Sequence, residues 1–476
     1  MTVLQRIAKN TLLLAISQVV VYILTFFYTI YIARYLGTEG FGILSFALAF
    51  SGIFSILADL GLNTLIVREL SKDQSLETTY FGNIMSIKII LSVVTLIASV
   101  IILNLMGYSQ YIINVVVIIL AAFILNGISG VFNSIFQARE KIVFQSIGQI
   151  LGAILLFLGV FLGIYYQFEI LGFAFLFLFS NAAVLIYNFI ISWRFFLPKL
   201  KFNWNFLRSS ISVALPFGIT GILGMLYTNI DSVMLSFLQG NDVVGLYNAA
   251  YRLILVLLFI PGIINITIFP YMSRFHISSK DSLKLINQTY FKIMTVIGIP
   301  MGCAVTILAD KIIVLIFGVG YLGSVIALQI LIWTIVFTFS GATFIRLFEA
   351  TNRQLTVAKI SLICVIVNIL LNIALIPKFS YIGASISTVI TEIILVGFII
   401  GISYKIGYGI PLIILKKDLL KIIFASIIMS IFLLYFENLN LFILIMLSTI
   451  LYLLILYGLK CINNEDITLF KKIINR

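Results

Sequence analysis

The stretch "YIARYLGTEGFG" occupies residues 31–42 and interrupts a long apolar part of the chain. It holds an arginine, a glutamate and three glycines, whereas the residues on either side are almost all apolar. Glycine supplies the backbone freedom that tight turns require. The stretch is therefore predicted to be the turn between two helices that cross a membrane. Its charged residues, Arg34 and Glu39, become candidates for a functional site.

Composition extends this interpretation to the whole chain. Of the 476 residues, 62% are hydrophobic and only 10% are charged, whereas a water-soluble domain carries about 25% charged residues. The sequence therefore predicts an all-α integral membrane protein. Every loop between the apolar runs is short, so we expect no enzyme domain. The single histidine, His276, and three widely spaced cysteines predict no metal site.

The apolar runs set the number of membrane spans. A spanning helix needs about 20 predominantly apolar residues, and the runs divide at polar breaks into fourteen such segments. The predicted spans, numbered in chain order, are 11–35, 41–68, 81–106, 111–137, 143–166, 170–196, 211–237, 244–272, 287–309, 321–349, 354–376, 380–404, 417–436 and 440–460.

The distribution of basic residues predicts how these spans are oriented. With the N-terminus in the cytoplasm, 22 of the 30 lysine and arginine residues fall on the cytoplasmic side. Only Arg34, Lys311 and Lys378 fall on the outer side, and five lie within spans. This asymmetry follows the positive-inside rule, so both termini are predicted to be cytoplasmic in the cell (plasma) membrane. The net charge of +13 then reflects topology, and we expect no nucleic-acid partner.

An internal repeat relates two parts of the chain. At a constant offset of 203 residues, the stretch 34–48 matches 237–251. The residues that recur at the predicted turn are Gly37 with Gly240, Glu39 with Asp242, and Gly42 with Gly245. Further on, "FQAREK" (136–141) resembles "FEATNR" (348–353) at a second pair of turns. The order and spacing of these matches indicate two homologous halves.

The repeat predicts the domain organisation. An even number of spans in each half gives both halves the same orientation, as in one class of transporters. We therefore predict two six-helix bundles in a pseudo-twofold arrangement, 1–205 and 206–410. Residues 411–476 would then form two additional transmembrane helices and a cytoplasmic tail.

Two predicted spans are interrupted at matched positions. Span 2 contains Asp59 and Gly61 within "LADLGLN", and span 8 contains Pro261 and Gly262 within "FIPGIIN". Proline removes a helical hydrogen bond. Interrupted helices at corresponding positions of two halves point to a transport site, so Gly61, Pro261 and Gly262 are predicted hinges. Ordinary helix kinking is the alternative.

Two long stretches resemble a known family. Residues 32–73 resemble the opening helix pair of Wzx-type polysaccharide and oligosaccharide flippases, and residues 240–275 resemble that family's spans 7 and 8. These flippases belong to the multidrug/oligosaccharidyl-lipid/polysaccharide exporter superfamily. The resemblance implies two six-helix bundles around a cavity lined by spans 1, 2, 7 and 8. It also implies alternating access and transport of isoprenoid-linked sugars from the inner to the outer leaflet.

Basic residues within the spans are candidates for binding such a substrate. A charge at the bilayer centre costs about 2.5–3.5 kcal/mol and usually faces a cavity or a partner. Arg252 is the first candidate, because arginine meets a diphosphate through paired hydrogen bonds; an ion pair with Asp231 is the alternative. Lys292 and Arg346 could also bind substrate or could snorkel to the inner surface. Arg34 could form an outer gate, meet the emerging diphosphate or simply face water.

Acidic residues are candidates for coupling or gating. Asp59, Asp231 and Glu392 lie within spans, where each could bind a proton or Na⁺ or neutralise a nearby base. Asp59 ranks first because it lies at the interruption of span 2, although its side chain could instead bond to nearby backbone. Glu39 is the corresponding candidate at the outer turn. Lys88 is expected to snorkel.

These observations predict a flippase that moves an isoprenoid-diphosphate-linked oligosaccharide by alternating access, for cell-surface polysaccharide or glycan biosynthesis. The expected partners are this lipid-linked oligosaccharide, the lipid bilayer and membrane proteins of glycan assembly. No cofactor is expected beyond coupling to H⁺ or Na⁺. The sequence leaves three alternatives open: a drug or organic-cation antiporter of the same superfamily, a lipid II flippase, and a non-transporting scaffold of a glycan-assembly complex.

Overall fold

The computed structural model of the chain describes residues 3–196, 199–410 and 412–461. The regular structure of these residues is helical, and no strand occurs among them. The predicted cytoplasmic tail beyond residue 461 lies outside the described residues. The all-α architecture predicted from the composition is confirmed.

Fourteen α-helices follow one another along the described residues, joined by short turns and three 3₁₀-helices. The α-helices are α1 Val3–Ser55, α2 Leu62–Leu70, α3 Glu77–Leu105, α4 Gln110–Ala138, α5 Ile142–Tyr165, α6 Ile170–Ser192, α7 Trp204–Gln239, α8 Asn241–Leu257, α9 Phe259–Ser278, α10 Lys280–Phe317, α11 Ser324–Ala350, α12 Gln354–Lys405, α13 Leu412–Tyr435 and α14 Leu441–Gly458. The 3₁₀-helices are Ile56–Ala58, Gln74–Leu76 and Val319–Tyr321.

Two of these helices each contain two membrane spans. Helix α1 is broken at Gly37 (φ 70°, ψ −175°) and α12 at Ser380 (φ 55°, ψ −136°), neither of which is helical. Twelve helical stretches of the described residues are long and apolar enough to cross a membrane, and Leu13–Ala58 and Gln354–Lys405 contain the two breaks. Division at the breaks gives fourteen spans, which confirms the predicted number.

The helices of spans 7 and 9 begin earlier than the apolar runs predicted. Helix α7 begins at Trp204 and α10 at Lys280. In both cases the preceding residue caps the helix, because the side-chain oxygens of Asn203 and Ser279 accept hydrogen bonds of 3.2 Å from backbone N–H groups three residues further on. An apolar run therefore marks the part of a helix that lies in hydrocarbon, whereas the cap marks the end of the helix.

The matched turns of the repeat have the same backbone conformation. Gly37 has φ 70° and ψ −175°, and Gly240 has φ 95° and ψ 175°, a region that is essentially restricted to glycine. At the second match, Glu140 and Asn352 both have φ 56°. In each case the backbone N–H of the next residue donates a 2.7 Å hydrogen bond to the carbonyl five residues earlier, which is the pattern of a Schellman cap. The repeat in sequence is thus a repeat in local structure.

Large apolar side chains remain exposed around the helices. Ile97 and Ile101 of span 3 are more than half exposed, and aromatic side chains such as Tyr165, Trp193 and Trp204 are exposed near helix ends. Apolar residues face lipid along a membrane span, and tyrosine and tryptophan are enriched at the membrane–water interfaces. This surface is that of a multi-pass membrane protein.

The chain divides into two compact units, Met1–Gly245 and Leu246–Arg476. The first unit contains spans 1–7 and the beginning of span 8. The boundary between 205 and 206, which the sequence repeat suggested, marks where the repeated sequence starts again and stays a prediction.

In the second unit, spans 13 and 14 pack against span 9. Leu308 of α10 belongs to the same buried apolar cluster as Ile422, Met429 and Leu444 of these two spans. The hydroxyl of Tyr452 donates a 2.8 Å hydrogen bond to the backbone carbonyl of Val296. The two additional helices are thereby joined to the rest of the second unit by both apolar and polar contacts.

Candidate functional site

Span 2 is interrupted where the sequence predicted. After α1, a 3₁₀ turn covers Ile56–Ala58 and helix α2 begins at Leu62. Between them, Leu60 (φ 48°) and Gly61 (φ 80°) lie in the left-handed region. That conformation costs a residue with a side chain about 1–3 kcal/mol and persists only where surrounding contacts hold it. The contacts of Asp59 and Gly61 provide this support.

Lys88 of span 3 holds one side of the interruption. Its Nζ donates hydrogen bonds to Asp59 Oδ1 at 2.7 Å, to Asn63 Oδ1 at 3.0 Å and to the backbone carbonyl of Gly127 at 2.6 Å. The exposed fraction of the Lys88 side chain is 2%, and that of Asp59 is 26%. The prediction that Lys88 snorkels is wrong, because three acceptors within the protein replace the water that the ammonium group would otherwise reach.

Asp59 combines two of the interpretations that the sequence left open. One carboxylate oxygen forms the ion pair with Lys88, and the other accepts a 3.2 Å hydrogen bond from the backbone N–H of Gly61. The side chain thus neutralises a base and also stabilises the turn in which it lies. A cation that used Asp59 as a ligand would have to compete with the Lys88 ammonium group.

Span 7 holds the other side of the interruption. A Cβ atom at Gly61 would overlap with the backbone of Ala214 and Gly218, and a Cβ atom at Gly218 would overlap with the carbonyl group of Leu60. The two helices therefore cross with their backbones in contact, which only glycine permits at these positions. Gly61 was predicted from its effect on span 2, whereas its partner Gly218 was missed.

The two copies of the turn motif contact each other within the first unit. A Cβ atom at Gly42 would overlap with the carbonyl group of Asn241, and one at Gly245 would overlap with that of Thr38. The repeat offset relates these contacts, because Thr38 matches Asn241 and Gly42 matches Gly245. The Thr38 hydroxyl also donates a hydrogen bond to the Asp242 carboxylate. We call this set of residues the turn contact.

A chain of hydrogen bonds supports the turn contact. The hydroxyl of Tyr108, after span 3, donates to Ser236 Oγ at 2.9 Å, and Ser236 Oγ donates to Asn241 Oδ1 at 2.7 Å. The Tyr108 ring stacks on Phe46 of span 2 with 4.7 Å between ring centroids. Spans 2 and 7 and the start of span 8 are therefore connected near the turns, while Arg34 and Glu39 are exposed beside them.

Span 8 is interrupted at the matched position. Helix α8 ends at Leu257 and α9 begins at Phe259. Pro261 has no N–H to donate to the carbonyl of Leu257, which explains the end of α8. The repeat offset places the intervening residue, Leu258, opposite Ser55, where α1 ends. The predicted interruption is present, and movement at Pro261 or Gly262 stays a prediction.

Arg252 lies on α8 before this interruption and is half-buried. It follows Asn248, which is buried, by one helical turn. It is adjacent to Tyr251, whose ring stacks on Tyr247 with 5.6 Å between centroids. The Tyr247 hydroxyl is 3.3 Å from Thr388 Oγ1. Arg252 is thus one helical turn from a buried polar residue and next in sequence to a stacked aromatic pair, within a span.

The two other basic candidates of the second unit have acidic neighbours. Lys292 Nζ lies 3.3 Å from Asp418 Oδ2, which ties span 9 to span 13. Arg346 Nη1 lies 2.5 Å from Glu349 Oε2, one turn further along α11 and near its end. In each pair the carboxylate neutralises the basic group, which accounts for a charge within a span. Substrate binding by Lys292 or Arg346 stays a prediction.

The remaining acidic candidates are buried. Asp231 on α7 is 4% exposed and Glu392 on α12 is 8% exposed. Asn368 and Asn372 on the neighbouring part of α12 are also buried, and Asn372 Nδ2 donates to Asn368 Oδ1 at 3.1 Å. Among the residues that the structure describes, no three histidine, cysteine, aspartate or glutamate side chains come together. Roles for Asp231, Glu392 and Glu39 in coupling or gating stay predictions.

The family described as "Polysaccharide biosynthesis protein" matches residues 7–276 of this chain. The chain is 27% identical over 395 residues to "Capsular polysaccharide biosynthesis protein CapF" of Staphylococcus aureus, covering 78% of this chain and 92% of CapF. It is 24% identical over 404 residues to "Probable low-salt glycan biosynthesis flippase Agl15" of Haloferax volcanii, covering 81% of each chain.

A solved structure resembles the whole fold. The structure titled "Lipid II flippase MurJ, inward closed conformation" aligns with a TM-score of 0.76, covering 98% of this chain and 100% of the other. The sequence identity is 18%, so the likeness concerns the fold. Its extent includes the two additional C-terminal spans as well as both repeated halves.

Proposed function

The chain belongs to the polysaccharide biosynthesis protein family, and on that basis we propose that it is a flippase for an isoprenoid-diphosphate-linked oligosaccharide. CapF and Agl15, whose names refer to capsular polysaccharide biosynthesis and to a glycan flippase, support this substrate class. The observation that carries the proposal is the pair of interrupted spans at repeat-related positions, after Ser55 and at Leu258. Such pairs are typical of the sites of transporters built from repeats.

In this proposal the substrate head group enters between lipid-facing spans while the isoprenoid tail stays in lipid. Arg252 replaces part of the hydration of the diphosphate, because a guanidinium group donates two parallel hydrogen bonds to phosphate oxygens. The neighbouring Tyr251, which is half-buried, offers aromatic and hydroxyl surface to sugar rings. We rank Arg34, Lys292 and Arg346 after Arg252 as binding residues. Lys292 and Arg346 already form ion pairs with Asp418 and Glu349.

The direction of transport follows from the proposed topology. With the basic loops in the cytoplasm, the turn contact faces outwards in the plasma membrane and both termini face inwards. A membrane potential that is negative inside would then assist outward movement of an uncompensated anion by about 2.3 kcal/mol per charge per 100 mV. Coupling to H⁺ or Na⁺ through Asp231 or Glu392 would add to this force.

Alternating access requires the outer side to open after the substrate has entered. The turn contact is the element that we propose must separate, because it joins the beginnings of spans 2 and 8 by direct backbone packing. The interruptions of these same two spans lie further along each helix. They allow the outer segment of a span to move without displacing the whole helix.

Transport in proteoliposomes tests the proposal. Purified full-length protein, reconstituted with fluorescent undecaprenyl-diphosphate oligosaccharide, should make the labelled head group accessible to an external quencher or glycosidase. Arg252→Ala should slow this transfer by at least tenfold. The matched control is Lys359→Ala, which removes another basic residue from a span but one that is exposed. Transfer at the same rate in all three proteins would refute the role of Arg252.

The same assay separates the alternatives. A drug or organic-cation antiporter would leave the labelled glycan inside and would acidify or alkalinise the lumen when a cationic drug is added. A lipid II flippase would transfer lipid II in preference to oligosaccharide. A scaffold would transfer none of these, and a depletion strain would then retain normal outward movement of lipid-linked glycan.

A further inference from the structure

Residues 199–203, which precede α7, lie with their backbone against span 3. A Cβ atom at Gly82 would overlap with the carbonyl oxygen of Lys199 and the backbone nitrogen of Lys201. The backbone N–H of Asn203 donates a 2.7 Å hydrogen bond to Asn83 Oδ1, and Asn83 is buried. This segment therefore has a defined position on the surface of the first unit.

Further contacts extend this docking into helix α7. The rings of Tyr80 and Phe206 pack edge to face with 4.9 Å between their centroids. Leu207 is fully buried in the cluster that includes Leu62, Phe81 and Phe132. The side chains of residues 199–205 are nevertheless exposed.

The exposed side chains combine basic and large apolar groups. Leu200, Phe202 and Trp204 are each about 60% exposed. The basic side chains that are exposed beside them are Lys199, Lys201 and Arg208. We call these six residues the linker strip.

The charge of the linker strip has no acidic counterpart nearby in the chain. The sequence contains no aspartate or glutamate between Glu169 and Asp231. On the adjacent span 3, Glu77 is already bound to Arg139 at 2.5 Å. Within the described residues, none of the ion pairs involves the basic residues of the strip.

We infer that the linker strip binds the head groups of anionic phospholipids. Exposed tryptophan and phenylalanine side chains enter the interfacial region of a bilayer, which brings the three basic groups to the depth of the phosphates. Basic residues beside a membrane surface attract anionic lipid. The docking by Gly82 and Asn83 fixes the strip in place, so that binding loses little conformational freedom. This inference does not depend on which substrate the protein transports.

The consequence is a lipid contact on the connection between the two repeated halves. The segment leads directly into α7, and α7 packs against the interruption of span 2 through Gly218. Anionic lipid bound at the strip would therefore stabilise the position of the helix that contacts Gly61.

Energy transfer from Trp204 tests the inference. In nanodiscs that contain the full chain with Trp193→Phe and Trp333→Phe, Trp204 is the only tryptophan. Transfer to acyl-labelled dansyl phosphatidylglycerol is compared with transfer to dansyl phosphatidylcholine at equal mole fraction. We expect several-fold enrichment of phosphatidylglycerol. Adding Lys199→Gln, Lys201→Gln and Arg208→Gln should bring the enrichment close to one, since these basic groups supply the attraction for anionic head groups.

A charge-matched control replaces three exposed lysines elsewhere, Lys359, Lys378 and Lys405, by glutamine. Enrichment that survives in the control but is lost in the strip variant supports the inference. Equal loss in both variants would attribute the effect to net charge and overturn it, as would enrichment that persists in the strip variant. Displacement of phosphatidylglycerol by soluble pyrophosphate at constant ionic strength would also overturn it, in favour of a site for free phosphate anions.

Gly82→Ala tests the docking without a change of charge. The added methyl group would displace the backbone of the segment, so the enrichment at Trp204 should fall although all basic residues remain. Unchanged enrichment in this variant would overturn the part of the inference that depends on a fixed strip.

Discussion

Replacement of Lys88 by methionine removes the group that holds the interruption of span 2. Methionine has a similar length and is apolar, so it fills the same space without donating hydrogen bonds. Asp59 would keep only its bond from the Gly61 N–H, and Asn63 Oδ1 and the Gly127 carbonyl would each lose a donor. We expect the substitution to destabilise the first unit.

The geometry sets the size of the effect. Exposed ion pairs contribute about 0–1 kcal/mol, but here the exposed fractions are 2% for Lys88 and 26% for Asp59. Removing one partner of a buried pair costs about 3–5 kcal/mol because the other charge stays behind. Since water reaches part of the Asp59 carboxylate, we expect the lower end, about 3 kcal/mol. For a unit of this size that corresponds to a fall of about 6–12 °C in melting temperature.

A double variant separates the buried charge from lost packing. In Lys88→Met with Asp59→Asn, no unpaired charge remains, so about 2 kcal/mol of the loss should be recovered. Thermal unfolding of purified protein, followed by the helical circular dichroism signal, measures both effects. Lys359→Met is the control, because that lysine is exposed on span 11. A melting temperature of Lys88→Met within a degree of the control, or no recovery in the double variant, would refute the reasoning.

Four further substitutions test three other contacts. Gly245→Ala places a methyl group against the backbone of Thr38, so the yield of a disulfide engineered between the two turns should fall at least fivefold. Gly224→Ala is the control, because a Cβ atom there would have no other atom within 4 Å, and it should leave the disulfide yield unchanged. Glu77→Gln should lower stability by about 3 kcal/mol in thermal unfolding, since it breaks a buried ion pair; unchanged melting would contradict this. Lys292→Met and Asp418→Asn should reduce transport equally if their ion pair matters, and a loss confined to Lys292→Met would indicate substrate binding.

The number of spans and the positions of the turns could be predicted from the sequence because both depend on local features. A span needs a minimum length of apolar chain, and the residues that break it are polar or are glycine and proline. Gly37 and Pro261 act through their own backbone geometry, which the sequence shows directly. The interruptions of spans 2 and 8 are local in the same sense and were predicted at the right places.

The contacts that hold these features could not be predicted in the same way. Lys88 was expected to reach the membrane surface, because nothing local indicates that Asp59 and Gly127, 29 and 39 residues away, supply its acceptors. Gly218 is one of several glycines in span 7, and its importance comes only from Leu60 on another helix. Non-local partners of this kind depend on how helices pack, which a pattern in one sequence does not determine.

The glycines of the opening turn include some that are explained by local backbone geometry and some that are explained by a non-local contact. From the sequence, the recurrence of Gly37 and Gly42 at Gly240 and Gly245 was explained by turn chemistry in both halves. Gly37 and Gly240 fit this explanation, because both have dihedral angles restricted to glycine.

Glycine recurs at positions 42 and 245 for a different reason. Both lie within helices, and each is required to be glycine by the backbone of the other copy of the motif. A duplicated chain whose two copies touch at equivalent residues meets the same steric limit twice, so a small residue must recur without any need for a turn. A contact of this kind can close and open as one element, since a change at either glycine alters the packing of both copies. The recurring glycine is therefore evidence for a contact between repeats, which favours the turn contact over the exposed Arg34 and Glu39 as the proposed outer gate.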